Sequence, residues 1–567
     1  MSKVIPAALA IWTLLVSAAL ADTQTFEANV MGELTFHAQR TYTDPFNQVS
    51  LDAVFTDPSG RELRVPAFWD GGDVWKARYA SPLLGTHRFR TECSATDDAG
   101  LNRVTGQVEI VPYTGKNPLY KHGPLRVSDN HRFLEQADGT PFFWLGDTWW
   151  MGLCHRLHWP DEFRQLAADR KEKGFNVIQI VAGLYPDMFP FDPRGANEAG
   201  FPWTSNYTAI RPEYFDAADQ RLFYLVDQGF TPCIVGAWGY FMPWMGVEKM
   251  EAHWRNLIAR YGALPVVWCA AGEANLPWYL AKGFPYDDRN QVHQWTEVLR
   301  YIRKTDPWHR PLTLHPTGIA PLTARHSTDD PALIDFDMLQ TPHGRQEAVP
   351  ITINTVRASY AATPRMPVID GEASYEMLND SLPTEWTRRM FWICVMNGAA
   401  GHTYGANGIW QCNRPGQPHG KSPHGGSYGV IPWNESMHLP GSQQVGFGKK
   451  FFEQFEWQNF QPHPEWARWA AATGKTSDPA ADVLGPQAAG IAGAVSVVYV
   501  PRNDGIEIRE LGPRVLYAVK YFDPVTGATT PIGNIRGDDN GAWNCPPPAG
   551  VNHDWVVVLK RSTDVSQ

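Results

Sequence analysis

Pro265-Val-Val-Trp-Cys-Ala-Ala-Gly-Glu273-Ala-Asn275 and Met366-Pro-Val-Ile-Asp-Gly-Glu372-Ala-Ser-Tyr375-Glu376 are two apolar runs that each end on a glutamate. Both read as buried strands: they are short, apolar and Val/Ile-rich, with a breaker at the C-terminal end. If both strands belong to one parallel barrel, their carboxylates stand at its C-terminal mouth, where barrel enzymes keep their chemistry.

Outward from these runs, strand and helix patterns alternate. Strands are expected at 142–146, 176–182, 231–237, 265–270, 311–315, 337–340, 366–369 and 399–403, with helical periodicity at 161–173, 213–227, 248–261, 290–304 and 385–396. Such alternation predicts an α/β chain with a (β/α)8 barrel over residues 127–468. The connection between the fifth and sixth strands shows no clear helix. Residues 22–112 carry short alternating runs between turn signals such as Asp57-Pro-Ser-Gly60, which predict an N-terminal β-sandwich. Residues 113–126 read as a linker. Residues 469–567 return to β character and predict a smaller C-terminal β-sandwich.

Residues 1–21 have a basic start, an apolar core and Ala19-Leu20-Ala21, the pattern of a cleaved secretory signal, so a secreted or periplasmic protein is expected. No later stretch is apolar enough to span a membrane. A net charge of -10 without a basic run argues against nucleic acid or an anionic membrane as partner. Nothing in the sequence fixes an oligomeric state. The seven cysteines are widely spaced with no C-x-x-C pair, which disfavours a thiolate zinc site. His402, Cys412, His419, His424 and His438 match no compact ligand spacing. No nucleotide cradle and no G-x-S-x-G elbow occur. No metal or cofactor is expected.

Hydrolysing a glycosidic bond takes one carboxyl group to protonate the leaving oxygen and another to attack the sugar or activate water. Strands four and seven lie across a barrel mouth, so Glu273 and Glu372 can flank a substrate as acid/base and nucleophile. That placement favours the retaining geometry, with the carboxyl groups ~5 Å apart rather than ~6.5–9.5 Å. Asp370 and Glu376 compete with Glu372, and a helix cap or an Arg partner is the bland alternative for either glutamate. Further polar groups fall on the same rim: Asp147, Gln179, His315, Gln340, His343, His402 and Tyr404. Asn275, Tyr375 and Glu376 accompany the glutamates as substrate ligands. The 24 tryptophans include Trp149, Trp150, Trp203, Trp238, Trp244, Trp278 and Trp410 in or beside expected loops. About half of these should line a sugar cleft, with Trp149, Trp150 and Trp238 shaping the pocket.

Pro141-Phe-Phe-Trp-Leu-Gly-Asp-Thr-Trp-Trp150, Gly272-Glu-Ala-Asn275, Gln340-Thr-Pro-His343 and Gly371-Glu-Ala-Ser-Tyr-Glu376 together resemble the apiosidase-like glycoside hydrolases (glycoside hydrolase family 140-like). The resemblance implies a barrel glycosidase behind an N-terminal β-sandwich, with the acid/base on Glu273 and the nucleophile on Glu372. It also implies a plant or algal cell-wall polysaccharide as substrate, with pectin side chains as a lead. The family pattern has Asp after Gly-Gly at strand four, whereas Ala271-Gly272 precedes Glu273 here. The alternatives are a non-catalytic carbohydrate-binding protein on a barrel scaffold and, more distantly, a polysaccharide lyase, whose basic uronate-binding cluster is not evident in the sequence.

Overall fold

The computed structural model describes residues 24–283, 287–470 and 484–562. The expected signal at 1–21 lies outside them. Eight parallel strands form the central sheet: β1 (Trp144–Trp149), β2 (Val177–Val181), β3 (Thr231–Val235), β4 (Val267–Cys269), β5 (Leu312–Thr313), β6 (Asp337–Gln340), β7 (Val368–Glu372) and β8 (Gly401–Tyr404). They pair in the order β5-β4-β3-β2-β1-β8-β7-β6. Between β5 and β6 the ladder gives way to bonds from Asp335 N–H to the Leu312 carbonyl (2.8 Å), from Leu312 N–H to the Asp335 carboxylate (2.8 Å) and from the Thr313 hydroxyl to the Phe336 carbonyl (2.9 Å). Those bonds bring the ends of the sheet together as a barrel. The missing fifth helix is real: the stretch between β5 and β6 holds only the short 3-10 turns Ala324–His326 and Pro331–Leu333.

Helices α1 (Asp161–Glu172), α2 (Pro212–Asp227), α3 (Met242–Tyr261), α4 (Arg289–Thr305), α5 (Ala348–Ala361), α6 (Thr384–Met396) and α7 (Pro440–Phe452) surround the strands. In α4 the residues Val292, Trp295, Leu299 and Ile302 recur every three to four positions and are buried, one stripe against the barrel. The Asp288 carboxylate caps that helix by accepting from the Asn290 and Gln291 amides, and Arg303 and Lys304 close its last turn. Helix α5 escapes a reading of the sequence, because Ala-Val-Pro-Ile-Thr-Ile-Asn-Thr-Val is rich in β-branched residues that favour strands.

Upstream, a five-stranded and a three-stranded sheet pack face to face. Leu51, Ala53 and Phe55 alternate with Asp52, Val54 and Thr56 and supply one side of their shared core, with Trp75, Ala77 and Tyr79 on the other. Buried arginines tie this sandwich to the barrel. Arg78 meets Asp219 at 2.5 Å, and Arg260 meets Asp70 at 3.0 Å and Asp219 at 3.1 Å. The expected linker is packed rather than free. Its short helix Pro118–His122 is capped by Asn117, whose amide also donates to the Val226 carbonyl, and Leu119 and Tyr120 join the barrel core.

At the other end, strands Val495–Val500 and Trp555–Arg561 pair antiparallel within a six-stranded sheet packed on a three-stranded one. Both are buried on two faces, which is why they read as unbroken apolar runs. Val498, Val500, Val557 and Leu559 fill the space between the two sheets. Val497, Tyr499, Val556 and Val558 pack on the barrel instead. No helix among the described residues is long and apolar enough to cross a membrane. All seven cysteines are buried and unpaired.

Candidate active site

The C-terminal mouth of the barrel opens into a cavity of about 550 Å3. Glu273 and Glu372 both line it, with Trp150, Trp238, Gln340, His343 and Tyr375. Each glutamate is placed by its strand end. Glu273 follows β4 with φ 45°, a left-handed backbone that a non-glycine residue adopts at a cost. The residue before it must be Gly272, since a Cβ there would lie 2.3 Å from the Trp238 ring. That close approach lets the Trp238 indole N–H donate to Glu273 Oε2 at 3.1 Å. Gln340 Nε2 donates to Oε1, also at 3.1 Å, from a strand whose register shifts between Leu339 and Gln340. Such irregularities re-aim side chains at barrel rims.

Glu372 closes β7 and is buried. His343 Nε2 donates to its Oε1 at 2.9 Å, and His315 Nε2 approaches Oε2 at 3.3 Å. The second approach is too oblique for a hydrogen bond, so Oε2 and His315 Nε2 lack a hydrogen-bond partner among the described residues. The Tyr375 hydroxyl is likewise buried and unpaired. Such costly vacancies suit a ligand that completes them.

The two carboxyl groups are driven apart in acidity. Protein encloses Glu273 although its carboxyl faces the cavity, and this burial, with the Glu372 charge beside it, pushes its pKa up to about 7. Burial also opposes ionisation of Glu372, but the polar contacts and charges of His315 and His343 outweigh it and hold the pKa at about 2. His343 is raised in turn: burial works against its charge, and Glu372 more than offsets that. At neutral pH one carboxyl keeps its proton for much of the time and the other is ionised.

Several residues expected at the rim are elsewhere, and strand alternation explains most of them. Asp147 and Trp149 point from β1 toward α1. The Asp147 carboxylate pairs with Arg170 at 2.6 Å and accepts from the Trp149 indole at 2.7 Å, and all three are buried. Only Trp150, one residue on, reaches the cavity. His402 and Tyr404 share the helix-facing side of β8. His402 packs against Phe391 and Asp370, and the Tyr404 hydroxyl donates to Glu376 at 2.6 Å. Glu376 is buried and also accepts from the Gly441 amide, so it braces α7 instead of meeting substrate. Asp370 takes bonds from Cys394 and Thr341 behind the strand. Gln179 points inward one layer too deep and donates to the Gly371 carbonyl. Asn275 ties the loop after β4 to Asp287 and the His326 carbonyl.

Of the seven tryptophans singled out, Trp150, Trp238 and Trp410 line the cavity. Trp203 is buried against His253, while Trp244 and Trp278 pack with Tyr240 and Tyr279. Asp187, Tyr279 and Tyr428, which no sequence motif singles out, complete the wall together with His424. Asp187 accepts from Ser422 at 2.8 Å and from Tyr428 at 3.2 Å, joining the loops after β2 and β8. No local motif marks such a pairing across 235 positions. Among the described residues, Asp370, Cys394 and His402 could bring ligand atoms together around a cation, but none lines the cavity.

The chain matches the family model of the apiosidase-like catalytic domain over residues 128–459, and a domain of unknown function (DUF5060) over residues 29–94. A structure named only as a glycoside hydrolase is 23% identical, covers 80% of this chain and 99% of its own, and superposes with a TM-score of 0.64. A glycoside hydrolase family 5 protein from Bacteroides vulgatus is 24% identical over 80% of this chain and 97% of its own, with a TM-score of 0.64. A candidate glycoside hydrolase from the same organism, 16% identical, covers 95% of this chain and 100% of its own at 0.66. At such identities the likeness shows the fold. No curated protein matches. The family match spans more than half of the chain, over the same strands and loops that carry the two glutamates, and the protein belongs to the apiosidase-like glycoside hydrolases.

Proposed function

We propose that this glycosidase is a retaining enzyme, exported from the cell, that trims sugars from a plant or algal cell-wall polysaccharide, pectin side chains being the leading candidate. The observation that carries the mechanism is the split in acidity between two carboxyl groups facing one cavity, about 7 for Glu273 and about 2 for Glu372. Paired carboxyls pushed apart in this way mark an acid and an ionised partner, and their places after the fourth and seventh strands support the nucleophile role for that partner.

Protonated Glu273 gives its proton to the glycosidic oxygen as the bond to the anomeric carbon breaks. The Glu372 carboxylate attacks that carbon from the other side and forms a glycosyl ester. Forming the ester removes the negative charge that helped to raise Glu273, so its acidity increases and it becomes a carboxylate able to take a proton from water. Water then attacks the anomeric carbon, Glu372 leaves with its electron pair, and Glu273 is again protonated. His343 holds the departing carboxylate throughout.

Export rests on the signal-like start of the sequence, and the polysaccharide on the family and on the aromatic wall of Trp150, Trp238 and Trp410. The test is the release of monosaccharides from pectic, arabinan, xylan and algal glycans by wild type and Glu273→Gln side by side. The proposal expects release by wild type alone, with net retention of anomeric configuration by proton NMR. An inverted first product overturns the mechanism, and equal release by both proteins removes Glu273 from it.

A further inference from the structure

A second cavity of about 710 Å3 lies at the opposite end of the barrel, between the N-terminal sandwich and the residues that precede β4 and β5. Its charge is the reverse of the mouth's. Among the described residues, the mouth is lined by Asp187, Glu273 and Glu372 with no lysine or arginine. The second cavity is lined by Arg61, Lys121 and Arg310 against two carboxylates, Asp57 and Asp138, which leaves cations in excess. Asp138 holds His122 at 2.7 Å, and Asp57 accepts the hydroxyl and amide of Ser59 and the amide of Arg61.

Arg310 is the anomaly. It is 6% exposed, yet among the described residues its guanidinium makes no ion pair: Asp306, four positions back, spends Oδ2 on the Arg310 backbone amide at 2.8 Å, and its charge only partly offsets the burial. Its Nε donates to the Gly262 carbonyl at 3.0 Å, and neither terminal nitrogen has a hydrogen-bond partner among those residues. Burial accordingly pushes the guanidinium down to about 10. The other buried arginines show how unusual this is. Arg78, Arg170, Arg260 and Arg388 each pair with at least one aspartate. Arg156, also without a carboxylate, still spends Nη2 on the Gln417 carbonyl. A buried guanidinium with a free two-nitrogen edge is shaped for a planar carboxylate. Trp308, fixed by its indole bond to the Ala80 carbonyl, adds an aromatic surface, and the volume is that of a sugar site, far beyond a simple ion.

We propose that this cavity is a second carbohydrate site, in which Arg310 takes the carboxylate of an acidic sugar residue while Lys121 and Arg61 supply the charged rim. The inference rests on the glycan-cleaving reading in one respect: the acidic sugar belongs to the same polysaccharide whose neutral residues enter the mouth. The enzyme then grips an anionic backbone on one face and cleaves uncharged sugar at the other.

The test is calorimetric titration of the full chain with a galacturonic acid trisaccharide, the matching neutral galactose trisaccharide and a sulfated galactose oligosaccharide. Wild type should bind the uronate, and Arg310→Gln should lose at least tenfold in affinity for it with no change toward the neutral sugar. Because Arg310 also holds the Gly262 carbonyl, Lys121→Glu on the exposed rim is the second variant. It should weaken uronate binding severalfold with thermal unfolding unchanged. Uronate binding that is absent, or indifferent to both substitutions, overturns the site. Preference for the sulfated sugar overturns the carboxylate assignment. Turnover of a neutral aryl glycoside, followed in parallel, separates the two readings. Turnover without Arg310-dependent binding sinks only the second site, and Arg310-dependent binding without turnover sinks only the reaction at the mouth.

Discussion

The two ends of the barrel treat buried charge in opposite ways. At the mouth, Glu372 is surrounded by His315 and His343, and Glu273 by the indole of Trp238 and the amide of Gln340. Each carboxyl is held by donors, so burial is converted into a chosen protonation state. At the floor, Arg310 is also enclosed, but among the described residues its guanidinium has one hydrogen-bond acceptor, the Gly262 carbonyl, and no carboxylate in contact. Elsewhere the fold sets a carboxylate in contact with such groups, as with Asp147 and Arg170 or Arg388 and Asp554. A buried ion whose partners are complete is architecture. One whose partners are tuned or missing is where a ligand or a reaction belongs.

The sharpest way to break the comparison is to remove the tuned carboxylate. Glu372→Ala should lower kcat by roughly 10^4-fold or more, with azide restoring turnover as a glycosyl azide of inverted configuration. Glu273→Gln should cost about 10^2 to 10^4-fold in kcat/KM on natural linkages and much less on aryl glycosides with good leaving groups. The same pair predicts the wild-type pH profile, a plateau in kcat/KM that falls above about pH 7 as Glu273 loses its proton.

Stability should separate architecture from chemistry. Asp147→Ala should destabilise by about 1.5–3 kcal/mol, since it removes one of the two aspartates paired with the buried Arg170 and leaves Asp169 as the other, while KM of the surviving enzyme stays unchanged. Chemical denaturation with parallel kinetics would show both. Glu273 behaves in the reverse sense. Its pKa is raised on folding, so the neutral form is favoured: the benefit is complete below the unfolded pKa near 4.5 and is lost as pH rises through about 7. Glu273→Gln should therefore unfold at higher temperature than wild type at pH 9 and at a similar one at pH 5, a gain of about 2 kcal/mol allowing for partial solvation. The smallest effect should come from Arg310→Gln, whose kcat on a small neutral glycoside should stay within about twofold of wild type.

Much of this molecule is legible along the chain. The strand after Pro265 and the strand after Met366 announce themselves by short apolar runs that break at Gly272 and Gly371. Helix α4 announces itself by its stripe of Val292, Trp295, Leu299 and Ile302. Helix α5 does not, because its β-branched composition is overridden by packing between β6 and β7. The rim was harder. Asp147, Trp149, His402 and Tyr404 sit at strand ends as expected yet face the helices, while Trp150 faces the cavity. A one-residue change in parity reverses the role, and no local signal shows which parity points inward.

The sequence by itself determined the elements and put a glutamate at the end of each of two barrel strands, because periodicity and turn chemistry act over a few neighbouring residues. Only the tertiary structure decided the rest. It chose which face of each strand meets the cavity, and it brought Asp187 to Tyr428 across the mouth. It set Glu273 and Glu372 at opposite acidities, and it left the terminal nitrogens of Arg310 without a hydrogen-bond partner among the described residues. Protonation and pairing depend on which groups share a desolvated space, and residues far apart in the chain come to share it only when the barrel closes.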